Sequence, residues 1–111
     1  MAKTLTAKAV APNGSTPGNR VVYNIYDGNE TLSADDFTFA VADRDSEYVP
    51  VRIIESVTNM GQSAVTIDGK DFETGRWELS LHGGIQLAAI GACAVTFATA
   101  NQGNVIIEFR T

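Results

Sequence analysis

The sequence predicts an all-β fold, an antiparallel β-sandwich or jelly roll or else a small barrel, with an extended N-terminal arm. Three observations carry this. Apolar residues alternate with polar or small ones at a period of two in seven segments. Turn pairs fall between those segments, at Asp27-Gly28, Asp68-Gly69, Thr74-Gly75, Gly83-Gly84 and Gln102-Gly103. Short strands separated by turn signals every 8 to 12 residues or so are the pattern of sandwiches and small barrels. The chain of 111 residues is of single-domain length. It divides into an arm and loop over residues 1–19 and a sandwich domain over residues 20–111.

Each element follows from its own residues. Residues 1–10 alternate small, polar and basic side chains, and the Pro/Gly/Asn/Ser stretch 12–19 (PNGSTPGN) reads as a loop. Residues 20–26 place Val21, Tyr23 and Ile25 on one face. A helical turn capped by Ser33, with Asp35 and Asp36 in its first turn, fits residues 32–36. Residues 37–43 set Phe37, Phe39 and Val41 against Thr38, Ala40 and Ala42. Residues 49–58 are β-branched, and Pro50 suits a strand start or an edge. Val65 and Ile67 mark a short strand at 64–68. In residues 76–81, Trp77, Leu79 and Leu81 share the face expected to point at the core. Residues 85–92 fit a strand or a short helix, with Gly91 favouring extended chain. Cys93, Val95 and Phe97 face one way in 93–99, and Val105, Ile107 and Phe109 do so in 104–110.

Charge excludes some functions. The net charge is -5 and the pI about 4.6, whereas phosphate-led nucleic-acid binding needs clustered Lys and Arg. The charge is also divided. Residues 1–26 carry Lys3, Lys8 and Arg20 and no acid, giving +3, while the remaining five bases and thirteen acids give -8. A basic segment ahead of an acidic body suggests an arm that contacts an acidic partner surface. No apolar run follows the basic start, so a Sec-type signal is not expected. The uncharged stretch 83–104 holds too many Gly, Gln, Asn and Thr residues for an inserted helix, so no membrane association is expected.

Candidate chemistry is sparse. His82, the one histidine, has Ser80 two residues away, but no nucleophile elbow is present and a polar strand end entering Gly83-Gly84 explains it. Cys93 lies on the apolar alternation without a basic neighbour, as a reduced core thiol would. One His and one Cys cannot make a zinc site without carboxylates. The run 43–47 fails the EF-hand spacing, with Tyr48 and Ile54 where Gly and a carboxylate are required, though a looser Ca²⁺ site at Asp43, Asp45 and Glu47 stays open. Glycine-rich dinucleotide and P-loop patterns are missing. No cofactor and no catalysis are expected.

An acidic, all-β chain with alanine- and threonine-rich strands and an arm-like, basic N-terminus resembles the small capsid decoration proteins of tailed bacteriophages, of the jelly-roll staple type. The resemblance spans the full chain in size and pattern and rests on no diagnostic motif. It implies a protein made in the host cytoplasm and bound to the exterior of the virion, often as a homodimer, bridging neighbouring subunits of the major capsid protein. Lys3, Lys8 and Arg20 are then the expected charged contacts, with Leu5 and Val10 as apolar anchors. The alternative is a carbohydrate- or receptor-binding module of a phage tail or similar particle, with Tyr26 and Tyr48 as exposed aromatic contacts.

Overall fold

A computed structural model describes residues 2–9, 18–41 and 44–111. Among the described residues twelve strands follow in chain order: β1 (Ala2–Ala9), β2 (Arg20–Tyr26), β3 (Glu30–Leu32), β4 (Thr38–Val41), β5 (Arg44–Tyr48), β6 (Ile53–Asn59), β7 (Val65–Ile67), β8 (Lys70–Phe72), β9 (Gly75–Glu78), β10 (Ile85–Gln86), β11 (Cys93–Phe97) and β12 (Asn104–Arg110). The helical pieces among the described residues are 3-10 turns at Ala34–Phe37, Leu79–His82 and Ala100–Gln102.

All pairings between strands are antiparallel. One sheet runs β1-β2-β12-β6, and β6 then pairs with β9 along one half and β10 along the other. The second sheet runs β3-β11-β7-β8, and β4 and β5 form a separate hairpin. Setting aside β1, β10 and that hairpin leaves eight strands. Renumbered in chain order, they lie 1-8-3-6 in one sheet and 2-7-4-5 in the other, which is the two-sheet connectivity of a jelly roll. Both sheets are open, so the fold is not a closed barrel.

One core joins the two sheets. Val21, Tyr23 and Ile25 of β2, Ile54 and Val57 of β6, and Val105, Ile107 and Phe109 of β12 meet Leu32, Val65, Ile67, Cys93, Val95 and Phe97 of the second sheet. The alternation in β2, β11 and β12 is strict, so each buries one face of side chains, as a period of two requires. Phe37, at the end of the first 3-10 turn, inserts between Tyr23 and Phe109 with edge-on ring contacts at 5.9 and 5.2 Å. The turn is fixed by Ser33, whose N–H donates to Asp36 Oδ2 at 2.9 Å while its carbonyl accepts from Asp36 N–H.

Several elements depart from the sequence expectation. Residues 2–9, expected as part of an arm, are extended and pair with β2 along their length, with a bulge between Leu5 and Ala7. Residues 49–52 precede β6 as irregular chain, with Val49 and Val51 fully buried. Residues 85–92 supply the two-residue β10 and then irregular chain. The expected inward face of 76–81 is corrected. The chain leaves β9 after Glu78 for a 3-10 turn, which breaks the alternation, so Trp77 is 41% and Leu81 80% exposed while, of the three, Leu79 is the one partly buried against the core.

Candidate functional site

The basic residues of the N-terminal segment face the body of the same chain. Lys3 Nζ lies 2.6 Å from Asp36 Oδ1 and 3.4 Å from Glu30 Oε1. The hydrogen bond to Asp36, supported by the charge of Glu30, raises the Lys3 pKa above its ordinary value against the opposing effect of partial burial. Lys8 Nζ stands 4.8 Å over the centre of the Phe39 ring, within cation–π range. Arg20 pairs with Glu55, whose second oxygen accepts from Arg110 Nε at 2.9 Å. Glu55 is the extra residue of a bulge in β6, opposite the step between Glu108 and Phe109 of β12. Leu5 is partly exposed on β1. Val10 lies outside the described residues, as does Asp43 of the acidic run.

The two tyrosines differ. Tyr26 is half-buried at the end of β2, with its hydroxyl 3.3 Å from Thr4 Oγ1. Tyr48, at the end of β5, is 39% exposed. Asp45 and Glu47 belong to β5, and among the described residues no group of three His, Cys, Asp or Glu side chains converges as a metal ion would need. The Ser80 hydroxyl donates to Glu78 Oε1 at 2.8 Å, so its proton points at a carboxylate and not at His82, which is exposed at the end of the 3-10 turn. The Cys93 thiol is buried, which pushes its pKa up to about 12.

Two sheet edges are open to a partner. On one side, no described strand pairs with the outer edge of β1, and its described side chains are exposed. On the other, β9 and the turn after it present Trp77 and Leu81. The Trp77 indole N–H donates to the Glu73 carbonyl at 3.0 Å and its ring meets Phe72 edge-on at 6.0 Å, which holds the exposed ring in one orientation. Beside it, Arg76 reaches Glu78 Oε2 at 2.6 Å and Thr58 Oγ1 at 2.9 Å. Hydrogen bonds from Ser80 and then Arg76 lower the Glu78 pKa below the usual carboxylate value.

No family model, curated protein or solved structure matches this chain.

A third feature lies at one end of the sandwich. Asp27, residues 60–62 and residues 101–104 line an open cleft of about 350 Å³. Backbone hydrogen bonds lace its walls together, from Asp27 N–H to the Gly103 carbonyl, Met60 N–H to the Asn104 carbonyl and Gln62 N–H to the Gln102 carbonyl, at 3.2, 2.8 and 3.1 Å. No spacing motif in the sequence marks it, because its three walls come from loops far apart in the chain. Of the described residues, none belongs to a helix long and apolar enough to cross a membrane.

Proposed function

We propose that this chain is a non-catalytic structural protein of a tailed bacteriophage, a jelly-roll staple that binds the outside of the capsid and bridges neighbouring major-capsid subunits. The observation that supports this best is the pair of open edges on opposite sides of one sheet. From β1 through β2, β12 and β6 to β9 there are four strand spacings, roughly 19 Å at about 4.8 Å each. A bridge needs two contact surfaces held at a fixed separation, and a hydrogen-bonded sheet supplies that.

The two edges offer different chemistry. β1 presents an outer edge with which no described strand pairs, and such an edge suits strand addition by an extended segment of a partner. The β9 edge offers an oriented indole and an exposed leucine, the kind of anchors that dominate binding energy at interfaces. Neither contact has to be strong by itself. Once one is made, the other becomes intramolecular, and many copies on a shell raise the resistance of the whole. On the shell the chain would act as a homodimer, which doubles the number of edges engaged.

The test is co-sedimentation of the purified chain with empty capsid shells of the encoding phage, together with the rupture temperature of those shells. Saturable binding at a fixed ratio to the major capsid protein and a raised rupture temperature are expected. A chain that stays in the supernatant overturns the proposal.

A further inference from the structure

The cleft at the end of the sandwich has the chemistry of a small-molecule site, and neither sheet edge uses it. Among the described residues its lining consists of Asp27, Gln62, Asn101, Gln102 and Asn104 as polar side chains, with Met60 as the one large apolar group. Met60 is half exposed and so lies open to a ligand. Asn104 Oδ1 accepts from Asn24 Nδ2 at 2.8 Å, which orients that amide and leaves its N–H groups for another acceptor.

The backbone beneath these side chains is held closely. A Cβ on Gly61 would meet the Gln102 carbonyl oxygen at 2.5 Å and the Asn104 nitrogen at 2.8 Å, so only glycine lets the two loops approach as they do. A Cβ on Gly103 would meet the Phe97 ring at 2.3 Å. Asp27 adopts the left-handed conformation with φ of 61°, unusual for a residue with a side chain. The polar groups therefore stand on a floor of fixed shape, which is what pre-organised recognition requires.

We propose that this cleft binds a neutral carbohydrate. One carboxylate among several primary amides supplies both acceptors and donors without strong net charge, matching the alternating donor and acceptor character of sugar hydroxyls. The Asp27 carboxylate accepts from a pair of neighbouring hydroxyls, in charge-assisted hydrogen bonds stronger than neutral ones. Met60 provides a polarizable apolar surface for the C–H face of the ring. At about 350 Å³ the cleft sits near the lower end of small-molecule sites, with room for about one or two sugar rings. A phosphorylated or sulfated ligand is disfavoured, because among the described lining residues the one charge is negative.

This inference stands apart from the capsid proposal, since it concerns the isolated chain and other residues. The experiment is a glycan array carrying neutral hexose and hexosamine oligosaccharides alongside sialylated and sulfated ones, probed with the full chain with and without EDTA. Hits are then titrated calorimetrically against Gln62→Ala, Asn101→Ala and Asp27→Asn. The first two alter exposed side chains, and the third keeps a residue that tolerates the left-handed backbone. Expected are neutral glycan hits that survive EDTA, weakened tenfold or more by at least two of the variants and unchanged by Tyr48→Ala. An empty array, hits confined to acidic glycans, binding abolished by EDTA, or hits indifferent to the cleft variants would each overturn direct recognition of neutral sugar in the cleft.

Discussion

Lys3 and Asp36 form the ion pair that clips strand β1 onto the 3-10 turn carrying Phe37 into the core. Since the described side chains of β1 are exposed, the strand is held by its backbone ladder to β2, this pair with the longer contact from Lys3 to Glu30, the hydrogen bond between the Thr4 and Tyr26 hydroxyls, and the stacking of Lys8 on Phe39. Lys3→Ala is expected to loosen β1 alone, by about 0.5–1 kcal/mol for a partly exposed pair. Amide exchange of residues 3–9 should quicken a few-fold while the melting temperature hardly moves. The raised Lys3 pKa gives the sign with pH: the pair contributes in full below the ordinary lysine pKa and is lost as pH rises through the raised value. Unchanged exchange in the variant would show that the backbone ladder alone holds the strand.

The strands legible in the sequence are those whose identity comes from burial. β2, β11 and β12 each turn one apolar face to the core, and the alternation of Val21, Tyr23, Ile25 or Val105, Ile107, Phe109 records it. β1 and β5 are strands because a neighbour pairs with them, and a backbone hydrogen bond leaves no mark on residue type. Trp77 shows the converse failure. Its alternation with Leu79 and Leu81 looks like a core face, yet β9 is a short edge strand and the chain turns away after Glu78. The divided charge is legible in the sequence, whereas the pairing of Lys3 and Arg20 with acids of the same chain is not, because Asp36 and Glu55 come near them only in the folded sheet. The cleft was invisible because Asp27, Gln62 and Asn101 converge only once the strands between them are in place.

Glu55 allows a test of how buried charge is compensated. It is 8% exposed, while the Arg20 and Arg110 side chains that neutralise it reach solvent. Glu55→Gln should therefore cost about 1–2 kcal/mol, since the arginines can rehydrate. Replacing both arginines with Met strands the carboxylate and should cost about 3–5 kcal/mol. Urea denaturation of the three proteins checks the order. An equal loss in both variants would mean that Glu55 is better hydrated than its burial implies.

Two glycines should differ from a third for a steric reason. Gly61→Ala and Gly103→Ala push a methyl into the backbone of 102–104 or into the Phe97 ring, overpacking worth about 1–3 kcal/mol. Gly61→Ala should in addition separate the loops and remove the cleft. Gly69 has the same left-handed requirement as an ordinary turn glycine, with φ of 82°, but open space around its Cβ, so Gly69→Ala should cost about 1–2 kcal/mol by backbone conformation alone. Chemical denaturation gives the energies, and amide chemical shifts of 101–104 report whether the cleft has moved.

Cys93 should be inert in the folded protein. Its thiol is buried and its pKa is pushed up to about 12, above all by loss of solvation and then by the charge of Asp68, so almost no thiolate exists at pH 8. Iodoacetamide at that pH is expected to leave the native chain unmodified and to label it stoichiometrically in denaturing urea. Mass spectrometry reads both states. Prompt labelling of the native chain would show that β11 opens far more readily than its place between β3 and β7 implies.

Leu81 separates binding from folding at the β9 edge. It is 80% exposed, so Leu81→Asp removes an apolar anchor with a stability change expected within about 0.5 kcal/mol. Trp77→Ala is less clean, because the indole also packs on Phe72 and bonds to Glu73. If the β9 edge is one arm of a bridge, Leu81→Asp should weaken co-sedimentation with capsid shells about tenfold or more and cancel the gain in rupture temperature, with the melting temperature of the isolated chain unchanged. The deletion of residues 2–9 tests the opposite edge, with hydrogen exchange confirming that the remaining strands stay protected. A bridge loses shell stabilisation when either edge is damaged, whereas a protein that merely coats the shell through one surface loses it from one variant only. Retention of full stabilisation by both variants would rule out the two-edge geometry.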